Sequence, residues 1–108
     1  MTIERRPKEY QRLTVMLRAR DRADHHSLAT ELLARARRAP LAGATLLEGV
    51  EGRGRSGVRH RRHLFRDDAP LSLVVVDDRE SLAAFLDDCQ GLLRDAVVVL
   101  DDVDAFRA

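Results

Sequence analysis

A chain of 108 residues with 44% hydrophobic and 34% charged side chains has the size and make-up of one globular domain with a core of its own. Its net charge of +1 argues against a general nucleic-acid binder, whose affinity grows with the number of phosphates it neutralises. No apolar run approaches the length of a membrane span, the N-terminal stretch lacks the apolar centre of a signal peptide, and the one cysteine, Cys89, excludes an internal disulfide; a reducing, cytoplasmic setting is the expectation.

The charge is unevenly laid out. Residues 1–66 hold 16 Lys and Arg against 7 Asp and Glu, a balance of +9, whereas residues 67–108 hold 3 against 11, a balance of −8. Halves of opposite sign in one small fold can pair internally or across a contact between subunits.

Residues 1–10 read as a loosely held polar tail, with a single domain over 11–108. From Leu13 the chain alternates, with Leu13, Val15, Leu17 and Ala19 on one side and Thr14, Met16 and Arg18 on the other, which is the period of a strand. Ser27 can cap a helix whose apolar stripe is Leu28, Ala29, Leu32, Leu33 and Ala36. Arg35, Arg37 and Arg38 suit its negative end, and Pro40 stops it. Ala44–Val50 is a second strand.

EGRGRSGVRHRRH (Glu51–His63) follows, with three of the six glycines, five arginines and two of the four histidines, and opens a Gly/Arg-rich loop over residues 51–69. LSLVVV after Pro70 is a third strand. Asp77, three residues before Glu80, has the spacing of a capping box for a second helix, with Leu82, Phe85, Leu86 and Cys89 on its apolar face. Ala96–Leu100 is a fourth strand.

The order β-α-β-β-α-β predicts an α+β, ferredoxin-like sandwich: an antiparallel four-stranded sheet with both helices on one face. The third and fourth strands are apolar on both sides, Leu73 and Val75 against Val74 and Val76, then Val97 and Val99 against Val98 and Leu100. Two helices bury only one face, so the pattern predicts an oligomer built through the other. The same topology brings the turn after the first strand (Arg20–His26), the loop 51–69 and the turn after the second helix (Gly91–Asp95) to one end. Separate loops meeting at one edge are how a small domain makes a site.

LAGATLLEGVEGRGRSG, the basic stretch after it and DDAPLSLVVVDDRESL resemble the PII-like signalling proteins, and match most closely a branch long catalogued as a conserved domain of unknown function. DRADHHSLATELLARARRA is similar to that branch's segment between first strand and first helix. The resemblance covers residues 11–106, and its most specific part is Gly43-Ala44-Thr45 leading into Gly52-Arg53-Gly54-Arg55. It implies a homotrimer packed through its sheets, with small-molecule sites in clefts between subunits. It further implies an adenine nucleotide against the base of the loop after the second strand. That loop would change shape with ligand and dock on a regulated protein, a membrane transporter among the candidates.

Carried over, the ligand contacts fall on Thr45, Gly52, Arg53, Gly54 and Arg55, with Gly91 and Arg94 from the turn after the second helix. Three departures stand out. The family's glycine-rich RTG…GDGK element is replaced by QGLLRDA; Arg53 stands where an aromatic is common; and the loop has no tyrosine to be uridylylated.

Two other readings compete. His60 and His63, joined by His25, His26 or Cys89, could make a metal-responsive trimer of the same fold; an i, i+3 pair converges on a helix and diverges on a strand. Arg59, Arg61 and Arg62 could serve an RNA-binding module, but with one Tyr and three Phe, none at a strand centre, there is no platform for stacked bases. Nucleic acid is the weaker expectation, and Asp101, Asp102 and Asp104 of a neighbouring copy are the expected counter-charges of the loop arginines. Gly52, Gly54 and Gly57 could offer backbone N–H groups to a phosphate, although no helix opens there and the stretch is no dinucleotide fingerprint. There is no GxSxG, HExxH or Walker A sequence, and the chain is not expected to be an enzyme.

Overall fold

The computed structural model describes residues 4–5, 9–49, 51–53, 59–61, 69–94 and 96–107. In chain order its elements are β1 (Glu4–Arg5), β2 (Tyr10–Arg18), β3 (Arg22–Ala23), β4 (His26–Ser27), α1 (Leu28–Arg38), β5 (Thr45–Glu48), β6 (Glu51–Arg53), β7 (Arg59–Arg61), β8 (Pro70–Asp78), α2 (Arg79–Cys89), β9 (Val97–Val103) and β10 (Phe106–Arg107). The main sheet has the order β5-β8-β2-β9 with every neighbour antiparallel, the ferredoxin-like arrangement that the pattern predicts.

Alternation along the two central strands sends Leu13, Val15 and Leu17 of β2 and Leu73 and Val75 of β8 to one side. There they meet Leu28, Ala29, Leu32 and Ala36 of α1 and Leu82, Phe85 and Cys89 of α2. Each fully buried aliphatic or aromatic side chain in this layer contributes about 1.5–3 kcal/mol. Ser27 caps α1 as expected, its Oγ accepting the Thr30 N–H at 3.1 Å.

At α2 the structure corrects the expectation by one residue. Asp78, not Asp77, is the cap, and its Oδ1 accepts the Ser81 N–H at 2.8 Å. β8 continues past its apolar run, so Asp77 falls on the inward side after Leu73 and Val75. There it is buried and accepts the N–H groups of Ala42 at 2.7 Å and of Asp78 at 2.8 Å.

Strand limits also move. The second main strand is only Thr45–Glu48: Gly49 still donates its N–H to the Pro70 carbonyl at 2.7 Å, but Pro70 has no N–H to continue the ladder. The fourth runs beyond Leu100 to Val103, since Asp101 and Asp102 find partners across the ladder: Arg12 donates to Asp101 and Gln11 to Asp102. Those two carboxylates, expected to answer a neighbour's loop, are thus engaged within their own chain. Part of the expected polar tail is tied down as well, β1 pairing with β10 through Glu4↔Arg107 and Arg5↔Phe106.

The second face of the sheet carries neither helix. Met16, Leu47, Val76, Val97 and Val99 lie on it with 47%, 53%, 41%, 55% and 37% of their surface exposed. β9 is moreover so far to the edge that Val98 and Leu100, on its helix side, are also exposed.

Candidate functional site

Register places the loops. Arg18 lies opposite Pro70, Glu48 opposite Leu71 and Met16 opposite Val97, so β2 and β5 end, and β8 and β9 begin, at the same edge of the sheet. The turn after β2, segment 51–69 and the turn after α2 therefore share one end, as expected.

The turn after β2 is built around Asp21. Its carboxylate accepts the Arg18 N–H at 2.8 Å, and its carbonyl accepts the Leu28 N–H at 2.7 Å. The β3–β4 hairpin then projects His25 and His26, both exposed, with Asp24 in the left-handed region at φ 53°. The Ala19 N–H donates to the Ala69 carbonyl at 3.0 Å, which fastens this turn to the far end of segment 51–69. Gly49 fastens the near end: a Cβ there would lie 2.8 Å from Pro70 Cγ, so any larger residue has to displace the Pro70 ring. Sequence reading passed over Gly49, whose signal is an LLEG step between a strand and a glycine-rich run.

Segment 51–69 is not wholly a loop. β6 and β7 form an antiparallel ribbon with Glu51↔Arg61, Gly52↔His60 and Arg53↔Arg59. Gly52 and Arg53 thus belong to β6, while Gly54, Arg55, Arg62 and His63 lie outside the described residues. His60 lies in β7 and not in a helix. Among the described residues no group of three or more His, Cys, Asp or Glu is placed to hold a metal ion.

The remaining expected contacts sit apart. Thr45 opens β5, exposed and opposite Val74 on the open face. Gly91 lies in a single 3₁₀ turn, Gln90–Leu92, where an added Cβ would meet nothing within 4 Å, and Arg94 is exposed just after it. That turn leads into β9, and β5 and β9 are opposite edges of the sheet, three strand spacings or about 14 Å apart. One chain does not bring Thr45 to Gly91 and Arg94.

Two further groups near this end are structural. Arg35 ties the helices together, donating Nε to Glu31 at 3.0 Å and Nη1 to the Asp88 carbonyl. The hydrogen bond to Glu31 raises the guanidinium above its usual value, and the same bond holds the Glu31 carboxyl low. Cys89 is fully buried; burial first, and the Asp88 charge second, push its thiol up to about 11. It stays protonated at neutral pH and offers no thiolate to a substrate or metal. At the opposite end, Glu9, Asp78, Arg79 and Glu80 line a depression of ≈ 330 Å³.

The family model DUF190, described as "Uncharacterized ACR", matches residues 10–105. The chain belongs to the DUF190 family. The UPF0166 protein of Aquifex aeolicus (strain VF5) is 29% identical over 77 residues, 69% of this DUF190 chain and 72% of that protein. Among solved structures, CPII of Thiomonas intermedia K12, a nitrogen regulatory PII-like protein bound to ADP, AMP and bicarbonate, aligns with a TM-score of 0.64 at 24% identity, covering 98% of this chain and 92% of that one. CutA of Synechococcus elongatus PCC7942 aligns with a TM-score of 0.64 at 11% identity, covering 95% and 83%. The DUF190 chain therefore has the PII-like fold. No helix among the described residues is long and apolar enough to cross a membrane.

Proposed function

We propose that this DUF190 chain is a cytoplasmic, trimeric signalling protein of the PII type and not an enzyme. It takes a small acidic ligand, an adenine nucleotide before others, in clefts between subunits, and it regulates a partner such as a membrane transporter through segment 51–69. The observation that carries this reading is the division of the expected contacts between opposite edges of the sheet. Thr45 and β6 stand at one edge and Gly91 and Arg94 lead to the other, so a complete site needs the edge of a neighbouring copy. The ADP and AMP held by CPII support the choice of ligand.

The segment's attachment gives the mechanism. Gly49 on Pro70 and Ala69 on Ala19 fix both ends of segment 51–69 to the sheet, so a ligand held at its base acts on the backbone that projects toward a partner. The arginines of the segment would pair with phosphate or carboxylate through charge-assisted hydrogen bonds. Signalling requires that the ligand bind one arrangement of the segment more tightly than another; affinity alone shifts nothing.

The test is a thermal-shift titration against ATP, ADP, AMP and cyclic nucleotides, with and without magnesium and bicarbonate, beside Arg55→Ala. A ligand that binds only the folded protein stabilises it by about 2.7 kcal/mol at a hundredfold excess over its Kd. A shift with one nucleotide, lost in Arg55→Ala, is the expected result. No shift with any of them would overturn the nucleotide reading.

A further inference from the structure

The open face of the sheet is organised in rows. Register aligns Leu47, Ser72, Met16 and Val97 in one row and Thr45, Val74, Thr14 and Val99 in the next, neither holding a charge. A third row is Val76, Arg12 and Asp101. Here Arg12 donates Nε at 3.2 Å and Nη2 at 2.7 Å to the two carboxylate oxygens of Asp101. Both side chains keep about half their surface open in the single chain, 50% and 40%. Charges flanking the rows are also engaged: Asp78 caps α2, and Arg18 lies 4.0 Å from Asp21.

A bidentate guanidinium–carboxylate pair joins the two groups by two parallel charge-assisted hydrogen bonds and matches their charges to each other. The face thus presents an apolar surface with its ion pair closed on itself. A charged partner finds no complementary charge to select it, whereas the identical sheet of a second copy matches the surface in apolarity and neutrality.

We propose that the Arg12–Asp101 pair is the polar element of a self-association face, carried intact into the contact between copies, and that its integrity decides whether they assemble. The proposal rests on the trimer reading above and goes beyond it by naming the residues that control assembly. The reason is physical. Two charges desolvated as a pair keep their mutual attraction, whereas removal of one buries the other uncompensated; removal of both leaves a surface that packs as well or better.

The experiment is sedimentation equilibrium on the full chain, with far-UV circular dichroism to verify folding, for wild type, Arg12→Met, Asp101→Leu, the isosteric Asp101→Asn and the double variant Arg12→Met with Asp101→Leu. Each single variant is expected to weaken assembly by about tenfold or more in dissociation constant, and the double variant to assemble like wild type or more tightly. Single variants that assemble as wild type does would overturn the proposal, as would a double variant no tighter than the singles. Asp101→Asn keeps the shape, so its loss of assembly reports charge and not a damaged fold. A wild-type chain at single-chain mass throughout would instead remove the self-association reading, and this proposal with it.

Discussion

Asp77 sits on the inward side of β8 and answers the backbone N–H of Ala42, in the segment between α1 and β5. Truncation to alanine removes this bond, and because Ala42 is exposed water can replace the carboxylate, so the loss is the net worth of a hydrogen bond, about 0.5–1.5 kcal/mol. Asp77→Ala is therefore expected to lower the urea midpoint by that equivalent, and Asp77→Asn, which keeps an acceptor, by less. Gly49 offers a second contrast at this scale. A methyl group there would stand 2.8 Å from Pro70 Cγ, while one on Gly43 or Gly91 would meet nothing within 4 Å. Overpacking of this kind costs about 1–3 kcal/mol, so Gly49→Ala should destabilise and Gly91→Ala should hold or gain up to about 1 kcal/mol from a stiffer unfolded chain. Equal losses at both positions would show that the Pro70 contact is not the reason for the glycine.

Between elements, the tie that stands out is the one Arg35 makes from α1 to Glu31 of its own helix and to Asp88 of α2. The hydrogen bond from Arg35, helped by attraction to Arg35, Arg38 and His26, outweighs desolvation and holds the Glu31 carboxyl below its ordinary 4.5. A carboxyl depressed in the folded state contributes stability that is complete above its unfolded value and is lost as pH falls through the lower folded value. Glu31→Gln is accordingly expected to lower stability at neutral pH and to flatten the acid limb of the urea midpoint against pH, the two proteins converging below pH 4.5. A difference that persisted unchanged into strong acid would mean that the carboxylate charge is not what Arg35 responds to.

For the whole molecule the unsettled surface is the open face of the sheet. Met16 lies near its middle, 47% exposed, between Ser72 and Val97. A lysine there finds water in the single chain and an apolar neighbour in an assembly, where an unpaired charge is expensive. Met16→Lys is expected to leave the circular dichroism unchanged and to reduce the native mass, by light scattering, from that of the proposed trimer to that of one chain. Retention of the wild-type mass would place the contact between copies elsewhere.

Order and type of the main elements were legible in the sequence because each follows from a local period: the alternation from Leu13, the stripe Leu28–Ala36, the Ser27 cap, and the surplus of apolar residues in the third and fourth strands that one helical layer cannot bury. Where those elements stop was not legible, because pairing decides it. Asp77–Glu80 satisfies the spacing of a capping box, yet the ladder with Tyr10 and Gln11 carries β8 on to Asp78 and turns Asp77 inward. The ribbon of β6 and β7 has no hydrophobic alternation to announce it, and the demand for glycine at position 49 comes from Pro70, on the far side of the loop. The candidate ligand residues could be named from resemblance, but their distribution over two opposite edges is a property of strand order alone. So is the union of Arg12 with Asp101, 89 residues apart in the chain. Short-range pattern determined which segments form and which sides are apolar; only tertiary structure decided which distant charges and backbone groups they bring together, since those contacts depend on register, which no local period encodes.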